Sequence, residues 1–243
     1  MKQGIFEITR NAPAAAGVYL LRLAGDASEI RLPGQFINIR LDGFFLRRPL
    51  SVSDWDENGL SAVYKVVGEG TRALARMTPG DKLDLLTGLG NGFDLDAAGE
   101  APLLIGGGSG VSPMPGLARR LIAKGAAPTA VLGFGTAAEV YFERELQAMG
   151  VTVVTATLDG SAGVRGTVVD AMAGVEYSYF YACGPEGMLE AVDGAACKAG
   201  EYSFEARMGC GFGACMGCTC KTKYGAKRIC RDGPVLKREE VVW

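Results

Sequence analysis

The chain has 243 residues, room for one large domain or two modest ones with an appendage; 25 basic against 27 acidic residues leave a net charge of -2. No basic tract is present, so the electrostatic footprint of a nucleic-acid binder is missing and partners are expected to be small molecules or proteins. The complete lack of histidine excludes histidine general bases, catalytic triads, histidine-ligated zinc and Rieske-type ligation, leaving redox cofactors as the natural source of reactivity.

From Lys2 to about Phe93, short alternating apolar stretches at residues 17–23, 35–41, 60–67 and 82–86 are punctuated by glycine, proline and aspartate, as in Pro33-Gly34 and Pro79-Gly80-Asp81. This pattern predicts a small antiparallel barrel or sandwich over residues 1–98. Around Asp94–Ala101 the texture changes, and strands alternate with helical stretches over residues 99–200, which predicts a parallel sheet covered by helices. Strand 102–105 runs into Gly106-Gly107-Gly108-Ser109-Gly110 and then a helix over 115–124. Glycines there let a pyrophosphate approach the helix N-terminus, where free N–H groups and the dipole favour negative charge. The spacing is not that of the usual dinucleotide fingerprint. Strands at 130–134 and 151–155 flank a helix over 140–149, and a strand from Tyr177 ends in the turn Cys183-Gly184-Pro185 before a helix over 189–199. Strand ends of this kind lie at the carboxyl edge of the sheet, where ligands of open α/β folds bind. No run approaches the roughly 18 apolar residues of a membrane span, and the first residues lack the apolar core of a signal peptide. A cytoplasmic protein with reduced thiols and no membrane contact is therefore expected.

The last segment, residues 201–243, is too short to bury a core without a staple, and its cysteines supply one. Cys210, Cys215, Cys218 and Cys230 stand in a C-x4-C-x2-C-x11-C array. The first three match plant-type 2Fe-2S ligation. Small residues in the gaps let backbone wrap an inorganic core and aim N–H groups at its sulfurs. Four thiolates would also satisfy tetrahedral zinc, and cysteine pairs would satisfy disulfides in a secreted protein. Cys220 falls outside the set as a neighbour of the site. Cys183 and Cys197 are expected to be buried thiols.

Taken in series, Arg48-Pro49-Leu50-Ser51, Gly68-Glu69-Gly70-Thr71, the glycine run 106–110 and Cys183-Gly184-Pro185-Glu186-Gly187-Met188 resemble the ferredoxin-NADP reductase superfamily. The cluster segment, with Cys230-Arg231-Asp232-Gly233-Pro234-Val235, resembles the electron-transfer subunits of NAD-dependent, type B dihydroorotate dehydrogenases along nearly the whole chain. The resemblance implies an FAD-binding barrel, an NAD-binding α/β domain and a 2Fe-2S cluster contacting a separate FMN-bearing catalytic subunit, in a heterotetramer of two of each. It also implies service in pyrimidine (UMP) biosynthesis. Arg48 then offers a planar fork to a flavin phosphate and Ser51 a hydroxyl to the flavin, with Pro49 and Leu50 beside them. Lys65, Val66 and Val67 lie along the flavin, and Gly70 and Thr71 bring N–H groups to its pyrophosphate. Gly106, Gly107, Gly108, Gly110, Cys183, Gly184, Pro185 and Met188 form the NAD site. No arginine follows the strand at 130–134, which favours NAD over NADP. Trp243 is expected to pack or contact a subunit rather than cover the flavin. No residue is assigned as acid or base, so dihydroorotate oxidation belongs to the partner. Rival readings are a flavin and iron-sulfur subunit of a bifurcating ferredoxin-NADP reductase or sulfite reductase, and a cluster-based redox sensor.

Overall fold

A computed structural model describes residues 1–243. Six antiparallel strands, β1 (Lys2–Ala15), β2 (Val18–Ala24), β3 (Phe36–Arg40), β4 (Arg48–Asp56), β5 (Gly59–Lys65) and β6 (Lys82–Leu89), close into a barrel in the order β1-β2-β5-β4-β3-β6. Period-two alternation drives this closure: Leu21 and Leu23 of β2, Ile37 and Ile39 of β3, and Leu83 and Leu85 of β6 all turn into one core. A short helix α1 (Glu69–Ala75) between β5 and β6 places Leu74 in that core. The apolar pattern does not predict β1 or β4. In both, polar residues such as Arg10 and Asp54 interrupt the alternation, and barrel closure supplies the pairing that pattern alone does not show.

The second sheet is built from β7 (Leu103–Gly107), β8 (Thr129–Phe134), β9 (Thr152–Thr157), β10 (Val164–Arg165), β11 (Phe180–Gly184) and β12 (Gly200–Phe204), all parallel where they pair. Helices α2 (Met114–Ala123), α3 (Glu143–Ala148), α4 (Val168–Met172) and α5 (Glu186–Ala195) cover it. Leu103 and Ile105 face the cluster of side chains containing Leu189 and Val192 of α5, while Leu104 faces Leu117 and Leu121 of α2. Burial on both faces explains why these strands read as continuous apolar runs, each fully buried leucine contributing roughly 1.5–3 kcal/mol.

Two expected helices are shorter or shifted. Phe142 adopts φ 66° and starts α3 only at Glu143, because Tyr141 turns inward to donate its hydroxyl to the Gly108 carbonyl at 2.7 Å. The last helix begins at Glu186 and stops at Ala195, since Ala196 is already extended and leads into β12. In the final stretch β13 (Thr219–Thr222) and β14 (Gly225–Arg228) form a hairpin, α6 (Ile229–Asp232) follows, and β15 (Val235–Lys237) pairs antiparallel with β12. The sheet order is thus β10-β9-β8-β7-β11-β12-β15, and residues from Gly200 onward supply two of its strands. The order of strands reverses between β7 and β11, the switch point where open α/β sheets bind ligands.

Candidate functional site: a cleft between barrel and sheet and an adjoining cysteine loop

A cleft of about 400 Å³ opens between the barrel and the carboxyl edge of the sheet. Arg48, Pro49, Leu50 and Ser51 line it from β4, Lys65 from the end of β5, Val67 from the turn into α1 and Thr71 from the first turn of α1. Arg48 lies over the Phe44 ring, 4.8 Å from its centroid, and against Gly70, where a Cβ would stand 2.2 Å from Nε. Gly70 therefore lets the guanidinium approach rather than lining the cleft itself. Val66 packs against the barrel core and donates its N–H to the Gly17 carbonyl at 2.8 Å, so it too stands apart from the cleft. The Thr71 hydroxyl is committed locally, accepting from Val67 N at 3.0 Å and Gly68 N at 3.1 Å. The first-turn N–H groups of α1 have no acceptor within the helix.

Across the cleft, the two turns of the switch point interlock. A Cβ on Gly107 would meet Met188 Sδ at 2.2 Å, and one on Gly110 would meet the Cys183 carbonyl at 2.0 Å. Gly106 packs on Val111, and Gly184 lies under Met188, with Pro185 capping α5. Gly108, at φ +53°, and Gly187, at the start of α5, face open space. The first turn of α2, by contrast, is buried, and Gly116 packs against the Ser53 carbonyl of β4. The open backbone facing the cleft is therefore the Gly108–Ser109 turn and not the N-terminus of α2.

Sequence reasoning missed several cleft residues: Phe36, Ser109, Ser112, Ser203, Phe204, Glu205 and Met208. Glu205, exposed at the rim of the cleft, accepts from Ser109 Oγ at 2.9 Å, and partial desolvation raises its carboxyl pKa against that hydrogen bond. Ser112 Oγ lies 2.8 Å from Ser53 Oγ and joins the sheet domain to the barrel. Their signal was positional: Phe36 opens β3, Ser203 and Phe204 close β12, and Ser109, Ser112, Glu205 and Met208 follow within a few residues of β7 or β12, but only the sheet order shows that those ends converge. Cys183 is buried beneath the cleft, and burial pushes its thiol up to about 12. Cys197, expected to be buried, is exposed, because α5 has already ended and the segment turns outward before β12. Trp243 packs edge-on against Tyr202 at 5.3 Å and against Phe204 at 5.8 Å, outside the cleft. A larger cleft of about 820 Å³, lined by Arg10, Arg22, Arg119 and Arg144 among others, carries none of the motif residues.

The cysteine loop starts two residues after Met208. Cys210 Sγ accepts from Ala214 N at 3.2 Å and Cys215 N at 3.4 Å; Cys215 Sγ accepts from Cys210 N at 3.4 Å, and Cys218 Sγ from Cys230 N at 3.4 Å. The thiols thus stand as two pairs, Cys210 with Cys215 and Cys218 with Cys230. No three donors converge on one point. A single tetrahedral ion needs such convergence, whereas a two-iron core takes two thiolates on each iron, so the donor set fits 2Fe-2S better than zinc. Burial opposes ionisation of Cys210, yet the surrounding N–H groups outweigh it and bring the thiol down to about 6. Cys230 is pushed up to about 12 by burial, then by its contact with Cys218. Cys220 lies on β13, paired in register with Lys227, outside both pairs.

Residues 205–242 match the iron-sulfur cluster binding domain of dihydroorotate dehydrogenase B, and residues 104–194 the oxidoreductase NAD-binding domain. The dihydroorotate dehydrogenase B (NAD(+)) electron transfer subunit of Geobacillus sp. (strain WCH70) is 42% identical, covering 100% of this chain and 99% of the relative. The chain belongs to this family of electron transfer subunits. The corresponding subunit of Bacillus caldolyticus is 43% identical over 94% of each chain. Among solved structures, an NADH-dependent reduced ferredoxin-NADP oxidoreductase, studied for flavin-based electron bifurcation, superposes with a TM-score of 0.88 at 30% identity, covering 99% of this chain and 90% of that one. An electron transfer subunit of dihydroorotate dehydrogenase B is an oxidoreductase subunit and has a catalytic partner. No helix is long and apolar enough to cross a membrane.

Proposed function

We propose that this chain carries electrons from an FMN-bearing catalytic subunit that oxidises dihydroorotate to NAD+, holding FAD in the barrel-sheet cleft and a 2Fe-2S cluster in the cysteine loop, within a heterotetramer of two of each chain. The observation that carries this reading is continuity: Met208 lines the cleft and Cys210 begins the cluster loop two residues later. When bound, the cluster relays single electrons and the flavin pairs them for hydride exchange with the nicotinamide. Arg48 neutralises a flavin phosphate, with the free N–H groups at the start of α1 beside it. Pro49, Leu50 and Ser51 hold the ring end, and Lys65 and Val67 flank it. The open Gly108–Ser109 turn and the Gly184–Met188 turn receive NAD, while Gly106, Gly107, Gly110 and Cys183 let the two turns interlock. Phe45, fully exposed on the turn between β3 and β4, and the exposed Phe212 and Met216 of the cysteine loop offer an apolar surface to the partner.

A flavin and iron-sulfur subunit of another complex would share this plan, and reconstitution separates the two. Alone, the loaded chain should let NADH reduce its flavin and should not oxidise dihydroorotate. Mixed with an FMN-bearing dihydroorotate dehydrogenase subunit, it should confer dihydroorotate-dependent reduction of NAD+, and Cys215→Ser should interrupt that transfer while sparing NADH-to-flavin reduction. Full turnover by a cluster-free variant, or dihydroorotate oxidation without the partner, would overturn the proposal.

A further inference from the structure

On β3, Ile37 and Ile39 enter the barrel core, while Asn38 between them lies on the outer face of the barrel and is nevertheless only 1% exposed. The cysteine loop covers it. Asn38 Nδ2 donates to the Cys210 carbonyl at 3.1 Å, and the contact is close enough that a Cβ on Gly211, itself at φ +79°, would stand 2.3 Å from that nitrogen. Asn38 Oδ1 is buried and has no hydrogen-bond partner. Turning the amide over would set Oδ1 against the Cys210 carbonyl, acceptor to acceptor, so chemistry fixes its orientation. The strand is braced on the same outer face: Arg47 Nη1 donates to the Asn38 carbonyl at 3.3 Å and the Asp84 carbonyl at 3.0 Å, and its guanidinium pairs with the Asp84 carboxylate at 3.1 Å. Gln3 Nε2 holds the same carboxylate at 2.9 Å. In register across from Asn38 on β4 is Pro49, a residue of the flavin cleft.

A buried amide with one end unpartnered is a costly way to fill space, because an apolar side chain of the same size would leave no orphaned acceptor. What the amide provides is the bond to Cys210. We propose that Asn38 is a positioning residue that fixes the cysteine loop to the barrel, setting the separation between Cys210 and the cleft bounded by Pro49. Electron tunnelling weakens steeply with separation, and a site whose supporting shell is loose loses function without losing its ligands. This inference rests on the function proposed above.

The test uses the full chain, loaded with FAD and iron and also iron-free, as wild type, Asn38→Leu and Asn38→Ser; the serine hydroxyl is one atom too short to replace the amide nitrogen. Amide hydrogen exchange over residues 209–214 should speed up at least tenfold in both variants, with or without iron. The electron paramagnetic resonance signal of the reduced cluster should broaden, and flavin-to-cluster transfer should slow at least fivefold while NADH-to-flavin reduction stays within twofold. Loss of iron with FAD retained is the extreme form of the same effect. Exchange and transfer within twofold of wild type in either variant that keeps FAD and iron would overturn the role of Asn38. Failure of NADH to reduce the cluster in the wild type would instead refute the electron path, and the exchange rates would then decide the role of Asn38 by themselves.

Discussion

At the scale of single residues, the proposed flavin site rests on one guanidinium. Arg48 is held by Phe44 beneath it and given room by Gly70. Loss of a charge-assisted hydrogen bond typically costs about 1.5–3 kcal/mol, so Arg48→Ala should raise the FAD dissociation constant roughly ten- to a hundredfold in equilibrium dialysis. Unchanged retention of FAD would mean the phosphate lies elsewhere. The cysteines divide just as sharply. Cys230 stands paired with Cys218, whereas Cys220 sits on a strand outside both thiol pairs. Purified protein should hold about two irons and two acid-labile sulfides per chain. Cys220→Ser should keep them and Cys230→Ser should lose them, by iron assay and absorption spectrum; the reverse pattern, or zinc in place of iron after anaerobic purification, would refute the ligand set.

At the scale of elements, β12 joins the cluster segment to the sheet, since it pairs with β11 on one side and β15 on the other. Glu201 on this strand is 3% exposed, faces Lys237 in register and accepts from Asp94 N at 2.9 Å. Burial outweighs that hydrogen bond and pushes its pKa from 4.5 up to about 7. The unfolded chain releases this proton near the ordinary glutamate value, and the folded chain keeps it until about pH 7. Stability from this group is therefore full below 4.5, falls as pH rises toward 7, and is level above; the difference is at most about 3 kcal/mol. Glu201→Gln, which retains an acceptor for Asp94 N, should flatten the decline in urea-melt stability between pH 4.5 and 7. An identical slope in the variant would show that Glu201 does not keep its proton.

At the scale of the whole molecule, barrel and sheet are locked together by an ionic contact that borders the larger, arginine-lined cleft. Asp54 of β4 accepts from Arg119 Nε at 2.7 Å and Arg120 Nη1 at 2.8 Å, and Arg120 stacks on Trp55 at 3.2 Å from the ring centroid. These groups are partly exposed, so the bonds are worth less than buried ones. Asp54→Ala should cost about 1–2 kcal/mol in urea denaturation and also weaken FAD binding, because the proposed FAD cleft has one wall on each domain. A loss below about 0.3 kcal/mol would show that the domain contact does not depend on this carboxylate.

Local chemistry was enough to read much of this in the sequence. The thiol spacing 210–230, the glycine turn after β7 and the fully apolar strands of the parallel sheet each carry their meaning within a short stretch of chain, because ligation and two-sided burial are short-range demands; the Arg48–Ser51 run took its proposed role from the family resemblance. Tertiary structure alone decided that β12 and β15 complete the sheet, that α2 begins buried while Gly108 stays open, and that Ser112, Glu205 and Met208 meet Arg48 across one cleft. It alone placed Asn38, an ordinary polar residue in a strand pattern, beneath Cys210, 172 positions away in sequence. Such contacts follow from barrel closure and sheet order, which bring distant strand ends together, and no period within a single segment records which ends will meet.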